Sequence, residues 1–195
     1  MAMTRGRTIT PSLWKREELL SLPPTTRLMM DGLHLYADDH GRERVNELLM
    51  RAEIFPLDRD ISDQQVTEML IALDDAGCVV LYDVAGVSYF AVTDWPKVDR
   101  PGDSRYPPPP SRSTRESFVA GERGERERGR ESEGESERDA PPTDPNLPPS
   151  PFCRNHQATG GSEEPCRGCG RARLQRKVWD DERMARRDGG SDDPQ

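Results

Sequence analysis

Three cysteines and one histidine near the end of the 195-residue chain have the spacing of a metal site. Two residues separate Cys153 from His156, two separate Cys166 from Cys169, and nine lie between the pairs. Thiolates and imidazole suit zinc, and each close pair can reach one ion from a tight turn. Four protein ligands leave no open position for catalysis. The spacing therefore predicts structural zinc; the alternative is a flexible tail whose cysteines are incidental.

The residues around these ligands suit a small metal module. Gly168 and Gly170 permit the left-handed turn that points backbone amides at the thiolates. Residues 171–187 predict a helix with Leu174, Val178 and Trp179 on its apolar side. Seven Lys or Arg side chains make this helix the most basic continuous region. A zinc knuckle followed by a basic helix could contact nucleic acid or dock on a protein, and the spacing does not choose between them.

The rest of the sequence shows no recognisable catalytic arrangement. His34 and His40 have no nucleophile or carboxylate at a spacing typical of an active site. There is no glycine-rich phosphate-binding loop. Cys78 begins a β-rich run and is predicted to be a small core residue. We therefore expect no enzyme activity, no catalytic residue and no small-molecule substrate.

Composition limits how much of the chain can fold. Only 32% of residues are hydrophobic, whereas 33% are charged and Gly and Pro together number 34. Residues 107–110 are four prolines, and residues 121–139 are almost entirely Gly, Glu, Arg and Ser. Such segments bury too little apolar surface to offset their ordering entropy. We predict a folded domain at 1–100, a disordered linker at 101–150 and a zinc-knuckle module with a basic helix at 151–190.

Cellular location is predicted from the lack of apolar runs. The first nine residues contain no signal-like apolar stretch, and no segment is long and apolar enough to span a bilayer. We expect a cytoplasmic protein with no membrane partner. Its four cysteines are then expected to be thiols or metal ligands rather than disulfides.

Hydrophobic periodicity in the first hundred residues predicts three to four helices. A short helix begins near Lys15, and a second covers residues 25–38. Asn46 is a suitable cap for the third, and the Ser62–Gln65 capping-box pattern opens the fourth, which Gly77 ends. The predicted inward-facing residues are Leu28, Met29, Leu33 and Tyr36, then Leu48, Leu49, Ala52 and Phe55, then Val66, Met69, Leu70, Leu73 and Ala76.

The period then changes to that of a β-hairpin. Residues 78–82 and 87–92 are β-rich and flank a turn at residues 83–86. Helices followed by a two-stranded ribbon indicate an α+β fold, a small winged helix. The Ser62 helix would be its recognition helix and residues 83–86 the tip of its wing.

These residues support a family resemblance. The stretch from Arg5 to about Pro109 resembles the winged-helix proteins of actinobacterial phages and prophages, described as helix-turn-helix DNA-binding or replisome-organiser-like replication proteins. The matching motifs are Arg7-Thr8-Ile9 with Pro11 and Trp14, Arg27-Leu28 with Gly32-Leu33, Ala37-Asp38 with Gly41-Arg42, Arg51-Ala52-Glu53-Ile54-Phe55-Pro56, Tyr82, Gly86, Tyr89, Trp95, Val98-Asp99-Arg100-Pro101 and Ser104-Arg105. The family's His-Gln pair after the tryptophan is missing. The resemblance implies double-stranded DNA as partner, in phage replication initiation, replisome assembly or transcriptional control.

The charge distribution opposes a simple DNA-binding helix. The net charge is −8, and residues 1–100 hold eleven Lys or Arg against seventeen Asp or Glu. Affinity for duplex DNA depends on cations at phosphates. The Ser62 helix offers Gln64, Gln65 and Thr67 as outward residues that could read base edges. The predicted phosphate contacts lie elsewhere, at Arg5, Arg7, Arg44, Arg51, Lys97, Arg100 and Arg105.

A protein-binding role is the alternative hypothesis. The outward positions of the Ser62 helix include Asp63, Glu68, Asp74 and Asp75 and no cation. An acidic face suits an adaptor that docks another protein, for example a replication partner, with the zinc knuckle as a second interaction module. Whether the basic arms or the acidic face carry binding would discriminate between the two hypotheses.

Overall fold

The computed structural model describes residues 6–9, 11–110 and 147–188. These residues form an α+β fold of five α-helices and one three-stranded antiparallel sheet. The elements are α1 (Glu17–Leu20), α2 (Pro24–Tyr36), β1 (Arg42–Arg44), α3 (Glu47–Ile54), α4 (Asp63–Asp75), β2 (Val79–Val84), β3 (Val87–Val92) and α5 (Arg167–Asp188). Among the described helices, none combines the length and apolar character needed to cross a membrane.

The predicted helix-boundary signals are present as hydrogen bonds. The Asn46 side chain accepts from the Leu49 amide and caps α3. At the start of α4, the Ser62 hydroxyl accepts from the Gln65 amide, while the Gln65 side chain accepts from the Ser62 amide. Gly77 adopts a left-handed φ of 67° just after α4, as a helix-ending glycine does. The predicted caps of α3 and α4 are therefore confirmed.

The sheet has the order β1–β3–β2, and its hairpin is tighter than predicted. Strand β2 extends to Val84, so the turn consists of Ala85 and Gly86 alone. Both have positive φ, 49° and 82°, which matches the twist of the flanking strands. Strand β1 was not predicted, because its three residues, Arg-Glu-Arg, have no pattern typical of a β-strand. Pairing with β3 holds it in place, with Glu43 opposite Phe90.

The hydrophobic core is formed by α2, α3, α4 and the sheet. Its fully buried members include Met29, Leu33, Met50, Val66, Leu70, Leu73, Leu81 and Phe90. The prediction that Leu28, Leu48, Leu49 and Ala52 face inward is wrong, since all four are exposed. Helix α3 instead presents Met50 and Ile54 to its neighbours. Ile54 packs so closely on Gly32 of α2 that a Cβ there would lie 2.6 Å from it.

The first ten residues of the predicted linker are part of the fold. The Gly102 amide donates to Asp39 at 3.0 Å, and Arg42 donates to the Tyr106 carbonyl at 3.1 Å. The Tyr82 hydroxyl donates to the Pro107 carbonyl at 2.7 Å. The folded part therefore extends beyond residue 100, with hydrogen bonds as far as Pro107. The remainder of the predicted linker, residues 111–146, lies outside the described residues.

The C-terminal segment packs on the N-terminal domain. Helix α5 lies against α4 and β2, and its Leu174, 2% exposed, belongs to the same core as Leu70 and Phe90. The sequence left open whether the two modules touch. Their contact makes residues 147–188 part of one folded unit with residues 11–110.

Candidate metal centre

The four predicted ligands come together at the N-terminal end of α5. One ligand atom from each of Cys153, His156, Cys166 and Cys169 lies within 4.8 Å of the other three. The Cys153 Sγ is 3.4 Å from the His156 Nδ1, 3.9 Å from the Cys166 Sγ and 3.7 Å from the Cys169 Sγ. The His156 Nδ1 is also 3.4 Å from the Cys169 Sγ.

These distances fit a tetrahedral ion and exclude a disulfide. With zinc about 2.3 Å from each sulfur and about 2.0 Å from the nitrogen, tetrahedral geometry separates two sulfurs by about 3.8 Å and a sulfur from the nitrogen by about 3.5 Å. The observed separations agree to within a few tenths of an ångström. A disulfide would bring two sulfurs to about 2.05 Å, and all four cysteines are free. The donor set and its spacing thus fit a divalent, thiophilic metal.

Local backbone turns place the ligands. A single 3-10 turn, Arg154–His156, begins just after Cys153, and the His156 amide donates to the Cys153 carbonyl at 3.0 Å. Cys166 precedes α5, and Cys169 lies in its first turn. Gly168 allows the two halves to approach, because a Cβ there would lie 2.8 Å from the Cys153 Cβ. The predicted left-handed turn at Gly168 and Gly170 is wrong, because both residues lie within α5 and neither has a positive φ; Gly168 serves close packing instead.

The cluster distributes negative charge unevenly among its thiols. Burial opposes ionisation of Cys153, but hydrogen bonds from the His156 and Asn155 amides and from the neighbouring thiols lower the pKa of Cys153. Burial raises the pKa of Cys169 to about 12. Of these two thiols, Cys153 therefore ionises more readily than Cys169.

Backbone hydrogen bonds join the ligand segment to the free edge of β2. The Asp83 amide donates to the Cys166 carbonyl at 3.0 Å, and the Cys166 amide donates back to the Asp83 carbonyl at 2.9 Å. The Ala85 amide donates to the Ser162 carbonyl at 3.0 Å. A candidate metal ligand, Cys166, is thus directly paired with the hairpin of the N-terminal domain.

Arginines of α5 neutralise the acidic end of α4. The Asp74 carboxylate, 1% exposed, lies 2.8 Å from Arg167 and 3.3 Å from Arg171, and its Oδ1 also accepts from the Leu81 amide. Arg171 contacts Asp75 as well. This hydrogen bond from Arg171 lowers the pKa of Asp75. The prediction that Asp74 faces outward is therefore wrong, because α5 covers it, and Asp75 is paired by the same basic helix.

A second set of ion pairs connects α5 to the hairpin and to α3. The Arg173 Nε lies 2.8 Å from the Asp83 Oδ2, and Asp83 is fully buried. The Lys177 Nζ lies 3.4 Å from the Glu47 Oε1 at the start of α3. The basic character of α5, predicted as a possible nucleic-acid contact, thus serves contacts within the chain along its first three turns.

The three residues predicted to read bases have other roles in α4. Thr67 is fully buried, and its hydroxyl donates to the Asp63 carbonyl at 3.2 Å. The prediction that Thr67 faces outward is therefore wrong. The face of α4 that packs on the core is wider than the hydrophobic periodicity indicated. Gln64 donates to Glu68 at 2.8 Å. Gln65 completes the capping box.

Only some of the cations predicted to contact phosphates are exposed in the structure. Arg7 is not in a free arm: it pairs with Asp39 at 2.8 Å, lies over the Trp95 ring and has an 8% exposed side chain. Arg51 pairs with Asp63 at 2.8 Å. Arg5 lies outside the described residues. The predicted phosphate contacts that the structure leaves exposed are Arg44, Lys97, Arg100 and Arg105.

The two histidines outside the cluster have structural partners. His34 is buried, donates from Nδ1 to the Met30 carbonyl at 2.9 Å and stacks on Trp95. His40 donates from Nε2 to the Gly102 carbonyl at 2.9 Å. Cys78 is fully buried, as predicted.

Sequence reasoning missed the docking contacts of Arg167, Arg171 and Arg173. The sequence contains only a weak indication of these contacts. It shows three arginines on the predicted helix and isolated carboxylates in α4 and the hairpin, but not that the two sets meet. No protein-family model, no curated protein and no solved structure matches this chain.

Proposed function

We propose that the protein is a winged-helix DNA-binding protein with a structural zinc knuckle built into its domain. The observation that carries this proposal is the element order. Helix α2, strand β1, helices α3 and α4 and the β2–β3 hairpin follow one another, and the sheet order is β1–β3–β2. This order supports the proposed winged helix, in which Ala85 and Gly86 would be the tip of the wing.

The DNA contacts we propose are phosphate contacts made by exposed cations. Arg44 lies on β1 next to the hairpin, and Lys97, Arg100 and Arg105 lie on the segment that follows β3. Each cation that neutralises a phosphate contributes by releasing a counterion. Helix α4 is poorly suited to direct reading, because Thr67 is buried and Asp74 and Asp75 are acidic. The expected binding is therefore electrostatic and only weakly dependent on sequence.

The metal in this proposal has a structural role. Cys153, His156, Cys166 and Cys169 would complete a tetrahedral zinc shell, which leaves no position for water or substrate. Zinc would fold the knuckle by fixing its two ligand pairs. The chain's own residues then dock α5, through the arginine pairs to Asp74 and Asp83.

The process we propose is phage or prophage DNA replication, at initiation or replisome assembly, with transcriptional control second. This rests on the resemblance of residues 5–109 to phage winged-helix proteins. A cytoplasmic location is part of the same proposal.

Fluorescence anisotropy of labelled duplex DNA with the zinc-loaded protein, across a salt series, tests the proposal. Binding that weakens steeply with salt is expected, with a slope that reports the number of phosphates contacted. Changing Arg100 and Arg105 together to Ala should reduce both affinity and slope. The matched control is Arg186→Ala with Arg187→Ala, which removes two exposed arginines at the far end of α5. Absence of binding even at low salt would overturn the DNA-binding function.

A second candidate function, a protein adaptor, is favoured by one observation. The acidic end of α4 and the buried Asp83 accept a basic helix, α5 of the same chain. Of these carboxylates, Asp75 keeps a side chain that is 54% exposed, and this is the group that a basic segment of a partner would contact. If duplex DNA does not bind, cross-linking with phage replication proteins tests this candidate; a cross-link that Asp75→Lys removes would support it, and unchanged cross-linking would count against it.

A further inference from the structure

A cleft lies between the wing, the start of α3 and helix α5. Its volume is about 190 Å³, and its charged and polar lining consists of Arg44, Glu47, Ser88, Arg173 and Lys177. Three of these side chains are cationic and one is acidic. The lining of the cleft therefore carries more cations than acids, and α5 supplies two of the three cations.

The cleft cations come from both parts of the chain. Arg44 is exposed on β1, whereas Arg173 and Lys177 belong to α5. Arg173 uses its Nε for Asp83, and its Nη2 lies 3.7 Å from the position that a Cβ on Gly86 would take. Its terminal guanidinium nitrogens thus reach the wing tip. The Lys177 side chain is 39% exposed, and its Nζ lies 3.4 Å from the Glu47 Oε1 and 3.7 Å from the Asp181 Oδ2.

This placement changes the electrostatics of the wing. Residues 83–86 contain no cation and one acid, Asp83. Docking of α5 covers Asp83 with Arg173 and adds Lys177 alongside. Docking of α5 thus neutralises the one acid of residues 83–86 and places Lys177 in the same cleft.

We propose that this cleft binds a phosphate group of a nucleic-acid backbone, with Arg44, Arg173 and Lys177 as its cationic partners. Arginine and lysine side chains are the usual partners of phosphate oxygens. A cleft of about 190 Å³ accommodates a phosphate group with its first contacts. The inference rests on the proposed DNA-binding function and assigns one of its phosphate contacts to a composite site.

Arg44→Ala is the sharpest test, because Arg44 is exposed and lies outside the ion pairs that dock α5. In the salt series with duplex DNA, Arg44→Ala should weaken binding and lower the slope by about one phosphate contact. Arg44→Lys should restore most of the loss. The matched control is Arg59→Ala, an exposed arginine that does not line the cleft. Equal losses for Arg44→Ala and Arg59→Ala would overturn the inference.

A titration with inorganic pyrophosphate separates the cleft from the DNA-binding function. The amide NMR signals of Gly86 and Ser88 should shift in the wild type and not in Arg44→Ala. If these shifts occur but duplex DNA does not bind, the anion cleft stands and the DNA-binding function is wrong. If duplex DNA binds but pyrophosphate leaves both signals unchanged, the function stands and the cleft assignment is wrong. Failure of both experiments overturns both.

Discussion

Arg173 of α5 holds the buried carboxylate of Asp83, with 2.8 Å between the Nε and the Oδ2. Asp83 has no solvent exposure, and its other oxygen accepts from the Gly86 amide at 3.0 Å. One carboxylate therefore ties the tip of the hairpin to the C-terminal helix. Residues separated by 90 positions in the chain become a single structural unit at this point.

Replacing Arg173 should destabilise the whole fold. Arg173→Ala leaves the buried Asp83 carboxylate without its charge partner, a loss of about 1–3 kcal/mol in the free energy of unfolding. Urea denaturation of the zinc-loaded protein measures this loss. Arg186→Ala serves as the control, because its i,i+4 pair with Glu182 is on the surface and contributes less than about 0.5 kcal/mol. Equal effects of the two changes would contradict the structural role of Arg173.

Zinc should stabilise the N-terminal domain as well as the knuckle. One zinc per chain is expected by elemental analysis, and Cys166→Ser should lower the occupancy while Cys78→Ala should not. At free zinc about 100-fold above its Kd, linkage adds about 2.7 kcal/mol to the folded state. Because Trp95 lies in the N-terminal domain, its fluorescence reports that domain's unfolding, and Trp14→Phe with Trp179→Phe isolates it. An unfolding midpoint from Trp95 that chelation leaves unchanged would show that the two parts are independent.

Gly170 should be intolerant of any side chain. A Cβ there would lie 2.5 Å from the Tyr82 Cα and 2.6 Å from its neighbouring backbone atoms, so α5 would have to move away from β2. We expect Gly170→Ala to destabilise the protein by about 1–3 kcal/mol, measured by thermal unfolding. Gly102→Ala is the matched control, since its Cβ would make an ordinary 3.6 Å contact with Asp39. If the two variants have the same melting temperature, α5 does not pack on β2 as described.

Asp75 should contribute a small, acid-sensitive stabilisation. The hydrogen bond from Arg171 lowers the pKa of Asp75 below that of the unfolded chain. Asp75 therefore contributes its full stabilisation at pH values above its unfolded-state pKa of about 3.9. This stabilisation is lost as the pH falls through the folded-state pKa of Asp75. With the side chain 54% exposed, solvent limits it to less than about 1 kcal/mol. Denaturation of wild type and Asp75→Asn should differ at pH 6 and converge near pH 3; a constant difference would contradict this.

The parts of the fold predicted from sequence are those specified by local signals. The Asn46 and Ser62 caps, the end of α4 at Gly77 and the hairpin follow from residues close together in the chain. The four candidate metal ligands could also be predicted from the sequence, because their chemistry depends on residue type and short spacing. These signals need no knowledge of the tertiary fold.

The missed features depend on contacts between distant residues. Strand β1 has a charged sequence and exists because Glu43 pairs opposite Phe90. Leu48 and Leu49 were assigned to the core because α3 is too short for periodicity to fix which face packs. The burial of Arg7 depends on Asp39 and Trp95, and the burial of Asp74 on Arg167. No local pattern in the sequence encodes these partners.

The pairing of Cys166 and Ser162 with the hairpin has a further consequence for the handling of the protein. Strand β2 is an edge strand, and the knuckle covers its backbone amides at Asp83 and Ala85. An uncovered edge is a template on which a second chain can add a strand. Demetallated protein should therefore self-associate through β2 and aggregate at high concentration, while the zinc-loaded protein stays dispersed.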